Sequence, residues 1–141
     1  MELAAQSAST IQIENATSTS PAFNLWADSS SVNIFPGVVN QNGSRNAVTN
    51  PAQAGSIVLI YATGWQTSFA PLLDGQVATQ ANNYCVQGCL ANGGVTVLYA
   101  GAAPEIVAGV TQFNIRLNSA APPGITSVPI YSFGAAVWVT P

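Results

Sequence analysis

The chain has no histidine, no lysine and very few charged residues of any kind. Only 5% of its 141 residues are charged, whereas an average soluble domain has about 25%. Enzymes take most of their chemistry from histidine, lysine, clustered carboxylates and reactive cysteines. We therefore expect a protein that is not an enzyme and that uses no cofactor or metal. The charged residues are Glu2, Glu14, Asp28, Arg45, Asp74, Glu105 and Arg116.

The charge balance and the hydrophobic runs exclude two classes of partner. The formal net charge is −3 with two arginines, so there is no basic surface for nucleic acid or anionic lipid. Hydrophobic residues make up 48% of the sequence, but its apolar runs, such as 57–62 (IVLIYA), have the length of a strand. A transmembrane helix needs about 20 such residues. We expect neither nucleic-acid binding nor membrane insertion.

Cys85 and Cys89 are the only cysteines. A redox pair usually has two intervening residues rather than three, and a zinc site would need ligands that the sequence lacks. We therefore predict a short structural disulfide between Cys85 and Cys89, with Gly88 allowing the ring to turn. A disulfide favours an oxidising, extracellular location. Residues 1–4 do not resemble a signal peptide, so we expect the native protein to extend upstream.

Alternating and apolar segments predict an all-β fold. Ser9 to Glu14 alternates, and residues 22–27 place Phe23 and Leu25 on one face, so the two segments predict a hairpin. Residues 57–62 are typical of a strand buried on both faces. Strands are also predicted at 95–100, 112–118, 128–133 and 136–140, with the last two joined around Gly134. Short strands at this spacing favour an antiparallel, immunoglobulin-like β-sandwich.

The segments between these strands have the composition of loops and turns. Residues 40–55 are rich in Asn, Gly, Pro and Ser and predict a loop. Residues 102–108 have room for one helical turn at most. In the alternating segment 112–118, Phe113, Ile115 and Leu117 are expected to point inward.

A short internal echo suggests how the protein is organised. Thr19-Ser20-Pro21 leads into a segment that ends at Trp26, and residues 126–129 (TSVP) lead into strands that end at Trp138. Residues 1–33 thus look like the end of a preceding repeat. We predict a hairpin at 1–33 that packs on a main domain at 34–141.

A series of short motifs lies along the sequence from residue 34 onward. They are 34–36 (IFP), 39–44 (VNQNGS), 50–52 (NPA), 55–58 (GSIV), 61–64 (YATG), 74–76 (DGQ), 97–104 (VLYAGAAP), 112–115 (QFNI) and 122–124 (PPG). In these motifs, and in their order over about 100 residues, the sequence resembles a family of uncharacterised carboxy-terminal repeats found in acidobacterial secreted and surface proteins.

The resemblance implies a fold and a location. Repeats of this family are similar to TIG/IPT immunoglobulin-like sandwiches and lie at the ends of secreted or cell-surface proteins. The family has no established catalytic residues, so the resemblance assigns none to this protein. The partners that it implies are neighbouring domains of a larger parent protein.

Three aromatic residues are the candidate ligand-binding residues. Trp65, Phe69 and Tyr84 lie in or beside loops, where they could stack on sugar rings or pack under the long loop. Asp74 precedes Gly75 and is better explained as the start of a turn than as a calcium ligand, since such sites use several oxygen ligands.

Two functional hypotheses follow. The first is an extracellular spacer, anchor or adhesion module, able to associate with itself through a sheet edge. The second is a carbohydrate-binding module that recognises polysaccharide through the loop aromatics.

Overall fold

The computed structural model describes residues 8–26, 32–64, 72–73, 75–81, 95–130 and 133–141. The protein divides into two compact units, Met1–Ser31 and Val32–Pro141. Within the described residues the fold is all-β and contains no helix, as predicted. The strands are β1 (Ala8–Ile11), β2 (Phe23–Trp26), β3 (Asn33–Ile34), β4 (Val39–Asn40), β5 (Ala52–Gln53), β6 (Ile57–Thr63), β7 (Thr96–Ala102), β8 (Val110–Arg116), β9 (Gly124–Ile130) and β10 (Phe133–Thr140).

The first unit contains an antiparallel hairpin of β1 and β2, which confirms the predicted strand pairing. The register runs from Ala8 opposite Trp26 to Ile11 opposite Phe23. The turn is closed by an Asn side chain, a common turn device: Asn15 Oδ1 accepts hydrogen bonds of 2.9 Å from the backbone N–H groups of Thr17 and Ser18.

The larger sheet of the second unit has five strands in the order β3-β6-β8-β7, with β4 also paired to β6. All its pairings are antiparallel. Ile60 lies opposite Phe113, and Ile115 lies between Val58 and Val97. A register shift between Val97 and Tyr99 interrupts the β7–β8 ladder, as a β-bulge does.

The smaller sheet has three strands in the order β5-β10-β9, so β10 is its central strand. β10 pairs with β9 in antiparallel fashion along most of its length, with Ala135 opposite Val128. On its other side it pairs with β5 in parallel, through Val139 and Ala52.

One hydrophobic cluster draws on both sheets, so the sheets of the second unit share a single core. Its largest fully buried side chains are Phe113, Ile60, Ile115, Ile130, Val58, Val128 and Val137. Phe113, Ile115 and Leu117 are all buried, which confirms the inward face predicted from their alternation.

The structure differs from the predictions in β6 and in the last hairpin. β6 is not buried on both faces: Val58, Ile60 and Ala62 are buried, while the alternate residues are half-buried. Gly134 does not join two strands but lies within β10, opposite Pro129. Its lack of a side chain matters there, because a Cβ would lie 3.3 Å from the Val128 carbonyl oxygen.

One loop prediction also needs correction. The segment 40–55 contains a two-residue strand, β5, which pairs with β10. Residues 104–108 form a non-helical turn, which agrees with the prediction of one helical turn at most, and Glu105 has a positive φ of 64°. The Glu105 N–H donates a 2.7 Å hydrogen bond to the Ala78 carbonyl oxygen, which holds the turn in this conformation.

Candidate functional site: an amide cluster and its cleft

The site residues predicted from the sequence lie outside the described residues. This holds for the aromatic residues Trp65, Phe69 and Tyr84 and for the cysteines Cys85 and Cys89, and Asp74, the predicted start of a turn, also lies outside them. Their roles therefore stay predictions. Among the residues that the structure describes, no group of three His, Cys, Asp or Glu side chains could hold a metal ion. In the same residues no helix is long and apolar enough to cross a membrane.

The structure reveals a cluster of four amide side chains and one hydroxyl in β4 and the segment that leads from it to β5. We call it the amide cluster (Asn40, Asn42, Ser44, Asn46 and Asn50). Asn46 is 9% exposed and Asn40 is 6% exposed. A buried amide is costly unless its hydrogen bonds are made. The hydrogen bonds described in the next two paragraphs satisfy both of these buried amides.

Asn46 connects the amide cluster to the smaller sheet. Its Nδ2 donates to the Trp138 carbonyl oxygen at 2.8 Å, and its Oδ1 accepts from the Trp138 N–H at 2.8 Å. Its backbone N–H donates to the carbonyl oxygen of Val38. The side chain thus pairs with β10 in the way that the backbone of a neighbouring strand would.

Asn40 and Asn50 hold the rest of the cluster in place. Asn40 Oδ1 accepts from Asn46 Nδ2 at 2.9 Å, and Asn40 Nδ2 donates to the Asn50 carbonyl oxygen at 3.0 Å. Asn50 Nδ2 donates to Ser44 Oγ and to the Arg45 carbonyl oxygen, each at 2.8 Å. These bonds form one connected polar network, and such networks rigidify a loop when every member is satisfied.

An open cleft of about 600 Å³ lies beside the cluster, and we call it the amide cleft. This volume falls within the range of small-molecule sites, about 300–1,000 Å³. None of the described residues that line it is charged or aromatic. They are Asn40, Gln41, Asn42, Asn50, Pro51, Ala52, Gln53, Ser56 and Thr140.

The rim of the amide cleft is fixed by two further hydrogen bonds. Gln41 Oε1 accepts from the Ile57 N–H at 3.1 Å, and Ser56 Oγ donates to the Gln53 carbonyl oxygen at 2.6 Å. The Gln41 side chain is thereby oriented, and its Nε2 keeps donor capacity. Amides and hydroxyls in this arrangement could bind a neutral ligand that is rich in hydroxyl groups.

Sequence reasoning missed both the cluster and the cleft. Asn, Ser and Gly at this density are typical of exposed loops, and nothing local marks Asn46 as buried. Its partner, Trp138, is far away in the sequence, so its role depends on the tertiary fold.

The protein has no match among protein-family models, curated proteins or solved structures.

Proposed function

We propose that this protein is a non-enzymatic, immunoglobulin-like β-sandwich module of a larger bacterial secreted or surface protein. Its role there is that of a spacer, anchor or adhesion module. The proposal is supported by the shared core of the two sheets and by the motif resemblance from residue 34 onward. It is also supported by the neutral, amide-rich composition, which supplies few groups for acid–base chemistry.

The observation that carries the proposal is the use of the buried polar side chains. Asn40 and Asn46 are the two buried amides in the described residues. Asn46 is bonded to the backbone of β10, and Asn40 to the backbone of Asn50. Both side chains therefore hold the protein's own backbone in place, as buried polar groups commonly do. This is the use expected of a structural module.

Surface labelling tests the extracellular role directly. Antibodies raised against the 141-residue protein should label intact cells of the source bacterium, or detect the protein in the medium. Protease added to intact cells should remove the cell-bound signal, while a cytoplasmic marker protein survives. Detection of the protein only after cell lysis would contradict the proposal.

The amide cleft supports a second candidate function, the binding of neutral carbohydrate. Hydrogen bonds from oriented amides provide specificity in small-molecule sites. The test is co-sedimentation with a panel of insoluble neutral polysaccharides. If the cleft binds sugar, Gln41→Ala combined with Gln53→Ala should weaken binding by about tenfold or more, since each lost hydrogen bond is worth about 1 kcal/mol.

Two further variants make the carbohydrate test specific. Gln12→Ala removes a glutamine from the first unit and should leave binding unchanged. Trp65→Ala tests the loop aromatics separately, because a loss confined to this variant would assign binding to the loops instead of the cleft. Absence of binding to the whole panel would leave the spacer, anchor or adhesion role as the proposal.

A further inference from the structure

The residue pairs of the two hairpins, β1–β2 and β9–β10, can be aligned with one another. In the first hairpin Ala8 lies opposite Trp26, and in the second Ile125 lies opposite Trp138. Counting inward from these pairs, Ile11 opposite Phe23 corresponds to Val128 opposite Ala135. Every pair of the β1–β2 ladder therefore has a counterpart in β9–β10.

On one face of the two hairpins the corresponding residues are apolar, apart from Ser9 and its counterpart Thr126. Directly opposed residues and residues two apart on a strand lie on the same face of a sheet. The apolar residues of this face in β9–β10 lie in the core, with exposures of Val128 0%, Ala135 6% and Val137 0%. Their counterparts in the first hairpin are exposed: Ile11 47%, Phe23 66% and Leu25 39%.

The opposite face of each hairpin also agrees. Thr10 corresponds to Ser127 and Asn24 to Ala136, and all four residues are exposed. The Thr10 hydroxyl donates to Asn24 Oδ1 at 3.2 Å, across the strands. A register shift of one residue would reverse the two faces, so the agreement of both faces excludes a one-residue shift in the correspondence.

The size of the apolar face argues against a free partner. The three apolar side chains of this face that the structure describes cover about 60–120 Å² each, so together they fall well below the roughly 800 Å² per partner of a stable interface. A covalently connected partner needs no such area, because linkage supplies a high effective concentration. The described part of this face is therefore better matched to a neighbour in the same polypeptide than to a free partner.

We infer that β1–β2 is the closing hairpin of a preceding copy of this fold, and that its apolar face packs on that copy's five-stranded sheet. This inference rests on the proposed modular role, but not on an extracellular location. The preceding sheet would lie directly upstream of residue 8, as β8 lies upstream of β9. Adjacent modules would then be joined by the short segment between β2 and β3.

A fusion protein that keeps the whole sequence tests the inference. A second copy of residues 32–123, which includes the five-stranded sheet but not β9 or β10, is placed directly ahead of Ser7 in an otherwise unchanged protein. If β1–β2 closes the added sheet, amide exchange at Ile11 and Phe23 should slow by at least about tenfold relative to the original protein. The amides of residues 110–116 in the added copy should become protected together with them.

Two neighbouring positions on β2 provide the matched control. Phe23→Asp, on the apolar face, should abolish the protection in the fusion, whereas Asn24→Asp, on the opposite face, should preserve it. Because Phe23 is larger than its counterpart Ala135, a second fusion carries Ile11→Val, Phe23→Ala and Leu25→Val to remove overpacking. Lack of protection in both fusions, or equal effects of the two Asp substitutions, would overturn the inference.

Sedimentation of the original protein tests the remaining alternative, in which a second copy of the protein covers the apolar face of β1–β2. The protein should be monomeric at micromolar concentration. A stable dimer that Phe23→Asp dissociates and Asn24→Asp does not would overturn the inference in favour of self-association. Neither the amide-exchange measurement nor the sedimentation measurement depends on where the protein resides. A negative result in either is therefore distinct from a negative result of the surface-labelling experiment.

Discussion

The carboxamide of Asn46 forms two hydrogen bonds with the backbone of Trp138, a residue 92 positions away in the sequence. Both bonds are 2.8 Å long, and one is donated while the other is accepted. The side chain thereby satisfies one backbone N–H group and one backbone carbonyl group of β10. This single residue joins the segment between β4 and β5 to the central strand of the smaller sheet.

Asn46→Asp should destabilise the protein by about 3 kcal/mol or more. The carboxylate can still accept from the Trp138 N–H, but it cannot donate to the Trp138 carbonyl oxygen or to Asn40 Oδ1. Burial and these two oxygens raise the pKa of the introduced carboxyl. The stability deficit relative to the unmodified protein should therefore be largest at neutral pH and shrink as the pH falls toward about 4.

Urea denaturation at several pH values measures this effect, and Asn42→Asp is its control. Asn42 is exposed, and its Oδ1 accepts hydrogen bonds from the Ser44 N–H and Oγ. A carboxylate can accept the same bonds, so we expect a change within about 0.5 kcal/mol. Equal effects of the two substitutions would contradict the structural role assigned to Asn46.

Glu105→Gly should stabilise the protein by about 0.5–1 kcal/mol. Glu105 has a φ of 64°, a conformation that costs a residue with a side chain about 1–2 kcal/mol. Glycine removes that cost but loses part of the gain to its greater freedom in the unfolded state. Glu105→Ala removes the same charge while keeping Cβ, and it should bring no comparable gain. Thermal denaturation of both variants measures these changes in stability, and equal changes would contradict the prediction.

Ile115→Ala should destabilise the protein by about 2–5 kcal/mol, because Ile115 is fully buried in the core and the truncation leaves a cavity. Ile125→Ala is the matched control, since Ile125 also lies in a strand but is 62% exposed. The control should cost less than about 1 kcal/mol. If the two variants unfold at the same urea concentration, the core described above is wrong.

The predicted Cys85–Cys89 disulfide should lower the mass of the unreduced protein by two hydrogen atoms. Mass spectrometry of material purified without reductant measures this difference, and detection of two free thiols would contradict the prediction. The ring is short, so loop entropy gives it only roughly 2 kcal/mol. Replacement of both cysteines by serine should cost no more than that.

The long strands can be predicted from the sequence because their signals are local. In β8, the alternation of Phe113, Ile115 and Leu117 states which face is buried, and no distant residue is needed to interpret it. The pairing of β1 with β2 is predictable for the same reason, since alternating segments flank a turn rich in Asn, Thr and Ser.

The rest of the fold depends on partners that are distant in the sequence. β5 has two residues, and it is a strand because Ala52 lies beside Val139 of β10. Glycine commonly interrupts strands, which predicts a turn at Gly134, but here a missing Cβ leaves room for the Val128 carbonyl oxygen. The amide cluster is not predictable either, because the burial of Asn46 follows from the position of β10.

Because β10 is the central strand of the smaller sheet, this sheet can form in the nascent protein only after β10 has been made. Both strands that flank it, β5 and β9, are made before it, and neither can find its partner until β10 has left the ribosome. At about 5–20 residues per second, Ala52 waits on the order of ten seconds for Val139. Once β8 has been made, the inner face of the larger sheet, with Ile60 and Phe113, lacks the cover of the smaller sheet until β10 emerges. The newly made protein is therefore most prone to aggregate just before β10 emerges.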